Sequence, residues 1–220
     1  MEHNNFEDTI CAVATPQGMG AQSTIKASGR KAIEIVNSLF RPTKKNNTLL
    51  TAAPYSAQYG WLYDPKDGSR IDDCIILLMR APHSYTGEDQ VEVTYHGNPL
   101  ISQLLLDLLI QAGARMAEPG EFTRRALSNG KLDLSQAEAV ADVIASTNRA
   151  ALRLSVTQMR GLFRKKIEEL REPLIRLASL IELELDFSEE DVELVPREEL
   201  LTQCQEIRKS VSSLDRKSVV

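Results

Sequence analysis

Glycine all but disappears from the last third of the chain. Of the 220 residues, those from Ser135 onward include one glycine, Gly161, and every other glycine lies earlier. A stretch without glycine lacks the residue that most readily supplies left-handed turns, which favours helices. The apolar pattern agrees. Leu152, Val156, Met159, Phe163, Ile167, Leu170, Leu174, Leu177 and Ile181 recur at steps of three or four. That spacing predicts one apolar stripe along a single long helix. Pro173 lies inside the stripe and removes the bond to the Glu169 carbonyl, so a kink or break is predicted there. Ser135-Gln-Ala-Glu138 reads as a capping box that opens the helical part. Pro196 with Glu198 and Glu199 reads as a second helix start, because proline fits the first turn and acids suit the N-terminal dipole. Two or three helices with one seam have too few partners to bury it. The rest must come from further chain, from the first half, or from another copy.

The first half mixes element types. Thr9 to Ala14 and Ser23 to Ala27 read as short strands around the turn PQGMG. Ser28 is placed to cap a helix from about Arg30 to Phe40, with Ile33, Ile35, Val36 and Leu39 on its apolar side. Arg41 to Pro54 reads as a connecting loop. Gln58 to Tyr63, Asp73 to Arg80 and Gln90 to His96 are strand candidates. Cys74 to Met79 is continuously apolar, which predicts a strand covered on both faces. Pro99 to Ala112 is a leucine-rich helix beginning beside Gly97 and Asn98. The expected organisation is an α+β module over 1–129 followed by an all-α helical module over 130–220.

Composition narrows the function classes. A formal net charge of -5 provides no broad basic surface for gripping a phosphate backbone unaided. Cys11, Cys74 and Cys204 have neither zinc-site nor disulfide-framework spacing. The amino-terminal segment carries Glu2, Glu7 and Asp8 and has no apolar core, so it does not read as a signal peptide. Pro99 to Ala114 is broken by Asp107 and is shorter than the roughly 20 residues a membrane span needs. A cytoplasmic location without membrane contact is the expectation.

Several segments carry a resemblance. They are Asp8-Thr-Ile-Cys-Ala-Val-Ala-Thr-Pro16, Ala81-Pro-His-Ser-Tyr-Thr-Gly-Glu-Asp89 with Val91-Glu92 and His96-Gly97, Pro119-Gly-Glu-Phe-Thr123, and Asn129 through Asp142. Glu184 to Asp191 extends the match. Together they resemble the tRNA-modification GTPase family MnmE, also called TrmE, over nearly the whole chain. The resemblance implies an aminomethyltransferase-like, folate-binding α+β module that also dimerises, followed by part of a helical domain. It further implies a homodimer that works with the flavoprotein MnmG to modify C5 of the wobble uridine of tRNA. GTP, Mg and K would belong to a GTPase domain. No G-x-x-x-x-G-K-[ST] occurs here, and the chain is expected to stop before that domain and not to bind GTP. By itself it is expected to carry no catalytic residue and no metal.

Through the same resemblance, Lys26, Glu92 and Lys131 match folate-contacting positions. The chemistry is consistent with that. A pterin edge presents adjacent N–H donors to a carboxylate, while the glutamate tail suits a cation. Alternation sets Glu92 on the strand face opposite Val91 and Val93. Without the resemblance, each of the three reads as an ordinary surface charge. The expected ligand is a tetrahydrofolate derivative, 5-formyl or 5,10-methylene. Two departures stand out: Met19 replaces an arginine of the family's first turn, and Lys26 stands where the family has arginine, turning a planar fork into a point charge. Arg124 and Arg125 either meet the folate tail or tie the modules together. Asp186, Glu189, Glu190 and Asp191 lack the spacing of a calcium loop. Two other readings remain, an independent folate-dependent one-carbon transferase and a structural dimerisation module without ligand.

Overall fold

A computed structural model describes residues 7–16, 18–43, 48–186 and 196–218, and at 162–164 and 213–218 the backbone alone. The chain divides into two compact units after Ala137. No described helix is long and apolar enough to cross a membrane.

The first unit is built on a seven-stranded sheet in the order β3-β4-β5-β6-β2-β1-β7. The strands are β1 (Thr9–Val13), β2 (Ser23–Ser28), β3 (Phe40–Pro42), β4 (Ser56–Tyr63), β5 (Arg70–Met79), β6 (Gln90–Tyr95) and β7 (Ala114–Met116). All neighbours are antiparallel except β1 and β7. Helices α1 (Ala32–Leu39) and α2 (Pro99–Gln111) bury Ile33, Ile35, Val36, Leu39, Leu105 and Leu109 against Ile25, Ala27, Ile76, Leu78, Val91 and Val93. One sheet face is therefore the core, and period-two alternation turns Lys26, Ser28, Gln90, Glu92 and Thr94 to the other.

Local chemistry departs from the sequence reading in four places. Ser28 does not cap α1. It ends β2, where its hydroxyl donates to Glu88 Oε2 at 2.8 Å and meets Thr86 Oγ1 at 2.7 Å. The helix begins three residues later, with Lys31 at the cap position and no side-chain cap; the Lys31 N–H donates to Thr9 Oγ1 instead. β5 is not covered on both faces. Cys74, Ile76 and Leu78 enter the core while Ile75 is 47% exposed, because only one side of that strand meets helices. The segment after Arg41 is not all loop: Phe40–Pro42 pairs with β4. The reciprocal capping box of α4 (Leu134–Ala145) sits two residues early. Asp133 Oδ1 accepts from the Gln136 N–H at 2.8 Å, and Gln136 Oε1 accepts from the Asp133 N–H at 3.0 Å. Aspartate caps as well as serine does, so the earlier start takes the helix.

The second unit holds α5 (Arg149–Met159), α6 (Leu162–Asp186) and α7 (Arg197–Ser218). Asn148 caps α5 by accepting from the Ala151 N–H at 2.9 Å. The single long helix of the stripe is two helices. The break falls at Gly161, which has φ +69°, and not at Pro173, which lies inside an unbroken α6. Glycine adopts the left-handed turn at little cost, and its carbonyl accepts the Lys165 N–H to restart the helix. A lone proline removes one bond and leaves the flanking ones in place. Of the stripe, Leu177 is buried, whereas Leu152, Ile167, Leu174 and Ile181 stay substantially exposed.

Candidate functional site

The face away from the core carries the polar residues of the central strands. Lys26 and Glu92 are directly opposite across β2 and β6. Lys26 Nζ lies 3.1 Å from Glu92 Oε1, with the side chains 36% and 25% exposed. Gln90, two residues earlier on β6, donates from Nε2 to the same Glu92 oxygen at 3.1 Å. Glu92 Oε1 thus has two donors, while Oε2 has no hydrogen-bond partner among the described residues. One row further along, Thr24 and Thr94 hydrogen-bond across the strands at 3.2 Å. Next to that row a cleft of about 210 Å³ is lined by Gln22, Tyr59, Ile75, Thr94 and His96, among others.

Lys131 is held elsewhere. It follows helix α3 (Glu121–Ser128), and its Nζ donates to the Pro82 carbonyl at 3.1 Å. Its stem lies so close to Gly87 that a Cβ there would stand 3.2 Å from Lys131 Cγ. Lys131 makes neither a hydrogen bond nor an ion pair with Lys26 or Glu92. The structure therefore joins two of the three residues singled out by sequence and sets the third, after α3, against the loop of residues 82–88. That loop is fastened to the sheet by Ser28 and to the segment after α3 by Asn129, whose side chain donates to the Thr86 carbonyl at 2.7 Å.

Behind the loop is a charge cluster that the sequence reading did not assemble. Arg125 and Glu121 are fully buried side chains four residues apart on α3, and Arg125 Nη2 lies 3.1 Å from Glu121 Oε1. Arg125 also reaches Asp8 Oδ1 at 2.7 Å and Glu88 Oε1 at 3.1 Å. Arg115, on β7, adds a bond to Glu121 Oε1 at 2.6 Å and one to Asp8. The hydrogen bonds from Arg115 and, less strongly, from the Glu118 N–H and Arg125 outweigh desolvation and pull the Glu121 carboxyl down to about 2. Burial pushes Asp8 up, but Arg115 and Arg125 more than offset it, leaving its carboxyl below the ordinary value. Arg125 thus ties Asp8, just before β1, to Glu88 of the 82–88 loop and Glu121 of α3. Arg124 is exposed and pairs with Glu118 at 2.9 Å. The signal for this cluster was the Glu121/Arg125 spacing of one helical turn after Pro119-Gly120; its partners Asp8, Glu88 and Arg115 are distant in sequence.

The remaining candidates resolve simply. The His96 ring Nδ1 bonds Asp72 Oδ1 at 2.7 Å, and the His96 backbone N–H donates to Asp72 Oδ2 at 2.8 Å; the Asp72 bond raises the imidazole above its usual value. Burial pushes the Cys11 thiol up to about 11 and Cys74 to about 12, so neither is a nucleophile near neutral pH. Among the described residues no group of side chains could hold a metal ion. Glu189, Glu190 and Asp191 lie outside them.

Comparison with known proteins gives these residues a context. Residues 9–131 match the family model described as GTP-binding protein TrmE N-terminus. The chain belongs to this family. Residues 134–218 match a second model, the MnmE helical domain. A tRNA modification GTPase MnmE from Bacteroides thetaiotaomicron is 50% identical over 208 residues, 94% of this chain and 44% of the relative. The one from Parabacteroides distasonis is 47% identical over 207 residues, with 94% and 45% covered. The Chlorobaculum tepidum protein is 45% identical over 205 residues, with 93% and 43% covered. The chain spans less than half the length of these relatives. Their family agrees with the architecture, an α+β unit followed by helices.

Proposed function

We propose that this chain is the folate-binding and dimerising portion of a tRNA-modification enzyme of the MnmE kind. On this reading residues 1–129 take a tetrahydrofolate derivative, 5-formyl or 5,10-methylene, at Lys26 and Glu92, with Lys131, just past that module, as the third contact. Residues 130–220 are part of the helical domain. The whole enzyme is a cytoplasmic homodimer that acts with MnmG on the wobble uridine of tRNA, and GTP hydrolysis belongs to a domain beyond this chain.

The observation that carries the reading is the Lys26–Glu92 pair. It sits on the polar face of the central strands, opposite the packed core, and Glu92 Oε2 has no hydrogen-bond partner among the described residues. A pterin edge offers adjacent N–H donors. Glu92 would accept them through Oε2 and, in competition with Lys26, through Oε1, and the Lys26 ammonium would supply the positive charge for the anionic tail. The bound folate supplies the one-carbon unit; these side chains only bind and orient it.

The test is a titration with 5-formyl-tetrahydrofolate, read by thermal shift and calorimetry. A ligand at about 100 times its dissociation constant stabilises by roughly 2.7 kcal/mol. Glu92→Ala removes a charge-assisted bond worth on the order of 1.5–3 kcal/mol, and Lys26→Ala costs less. Absence of binding by the parent, or a thermal shift with GTP, overturns the proposal.

A further inference from the structure

We infer that Gln90 is a positioning residue: it fixes the Glu92 carboxylate so that Oε2 faces the ligand. This rests on the folate-binding reading above. Gln90 is 1% exposed and lies on β6 opposite Ser28 of β2 and Met79 of β5. Its Nε2 donates to Glu92 Oε1 at 3.1 Å. Its own Oε1 is buried and has no hydrogen-bond partner among the described residues.

That orphaned oxygen separates the two roles a buried glutamine can have. A glutamine kept for stability has both ends satisfied, because a buried acceptor without a donor carries the full desolvation penalty. The nearest hydroxyl across the ladder does not help, since the Ser28 proton goes to Glu88. An apolar side chain of equal length would suit this place in the sheet better. Among the described residues, the one hydrogen bond of the Gln90 side chain is with Glu92.

Lys26 does not duplicate that contact. Its ammonium rides on a flexible four-carbon stem, is more than a third exposed, and is the donor a ligand N–H displaces. Gln90 is packed on every side and stays on Oε1 when Lys26 leaves. It therefore holds the carboxylate plane in both the free and the bound state, and ordering that group beforehand raises affinity.

The experiment uses the whole chain, with 5-formyl-tetrahydrofolate as probe, and compares Gln90→Met, Glu92→Gln and the double variant. Gln90→Met is expected to leave the ligand-free thermal midpoint unchanged or higher and to weaken binding about tenfold. In the Glu92→Gln background it is expected to add nothing, because the group it positions is gone. Gln90→Leu serves in the same way if the methionine variant misfolds. Binding by Gln90→Met within twofold of the parent overturns the inference. So does a loss that multiplies with that of Glu92→Gln, or a midpoint that falls with the affinity, since both mark a structural role. Failure of the parent to bind is a separate result: it overturns the folate reading, and this inference with it.

Discussion

Glu121→Gln tests whether the cluster behind the 82–88 loop holds the first unit together. The substitution keeps the shape and removes the charge, leaving the buried Arg125 guanidinium facing an amide that also donates. The Glu121 carboxyl lies at about 2 instead of its ordinary 4.5, a gap worth about 3 kcal/mol of stability. Breaking a buried pair from one side costs a similar 3–5 kcal/mol. The folded value lies below the unfolded one, so the unfolded chain binds the proton more readily in between. The contribution is complete above about pH 5 and is lost as the pH falls toward 2. Trp61, the chain's one tryptophan, lies on β4 and reports the first unit by fluorescence. In urea at pH 7 the variant is expected to be less stable than the parent by about 3 kcal/mol. At pH 3 the gap should shrink to roughly half, because the parent is losing what the variant never had. Two results refute the reasoning: a difference at pH 7 below about 0.5 kcal/mol, the level of an indifferent surface change, or a gap that does not change with pH.

Two further substitutions probe the frame. A Cβ at Gly60 would stand 2.3 Å from the Arg41 carbonyl oxygen and 2.5 Å from Phe40 Cε2, so Gly60→Ala should push β3 off β4 and cost about 1–3 kcal/mol in the Trp61 unfolding curve; an unchanged midpoint would mean that the strands part freely. Asp133→Ala removes the reciprocal cap of α4 and should lower stability by about 1 kcal/mol in circular-dichroism melts, whereas no loss would move the helix start to Ser135.

Wherever one period dominated, the sequence alone determined the element. The strands around Ile25 and Val93, the α2 leucines and the helical character of the last third were legible because burying one face leaves a repeat of two or of three to four residues, whereas the unbroken apolar run of Cys74 to Met79 marked a strand but hid that only one of its faces is covered. The same alternation set Glu92 on the face away from the valines, and the strand register then brought Lys26 beside it. Boundaries were less legible, because neighbouring residues compete for one backbone donor. Asp133 took the α4 cap from Ser135, and Thr9, twenty-two residues away, met the Lys31 N–H that Ser28 was expected to serve nearby. Gly161 overruled Pro173 because a left-handed turn redirects a chain, whereas one missing bond does not. What tertiary structure alone decided was the company of the charged side chains. Asp8, Glu88, Arg115, Glu121 and Arg125 converge only after β1, β7, α3 and the 82–88 loop pack, as does the buried amide of Gln90 against Glu92. Periodicity records which face is buried; it carries no record of which distant charge waits there, since that partner is chosen by the fold's geometry and the low dielectric it creates.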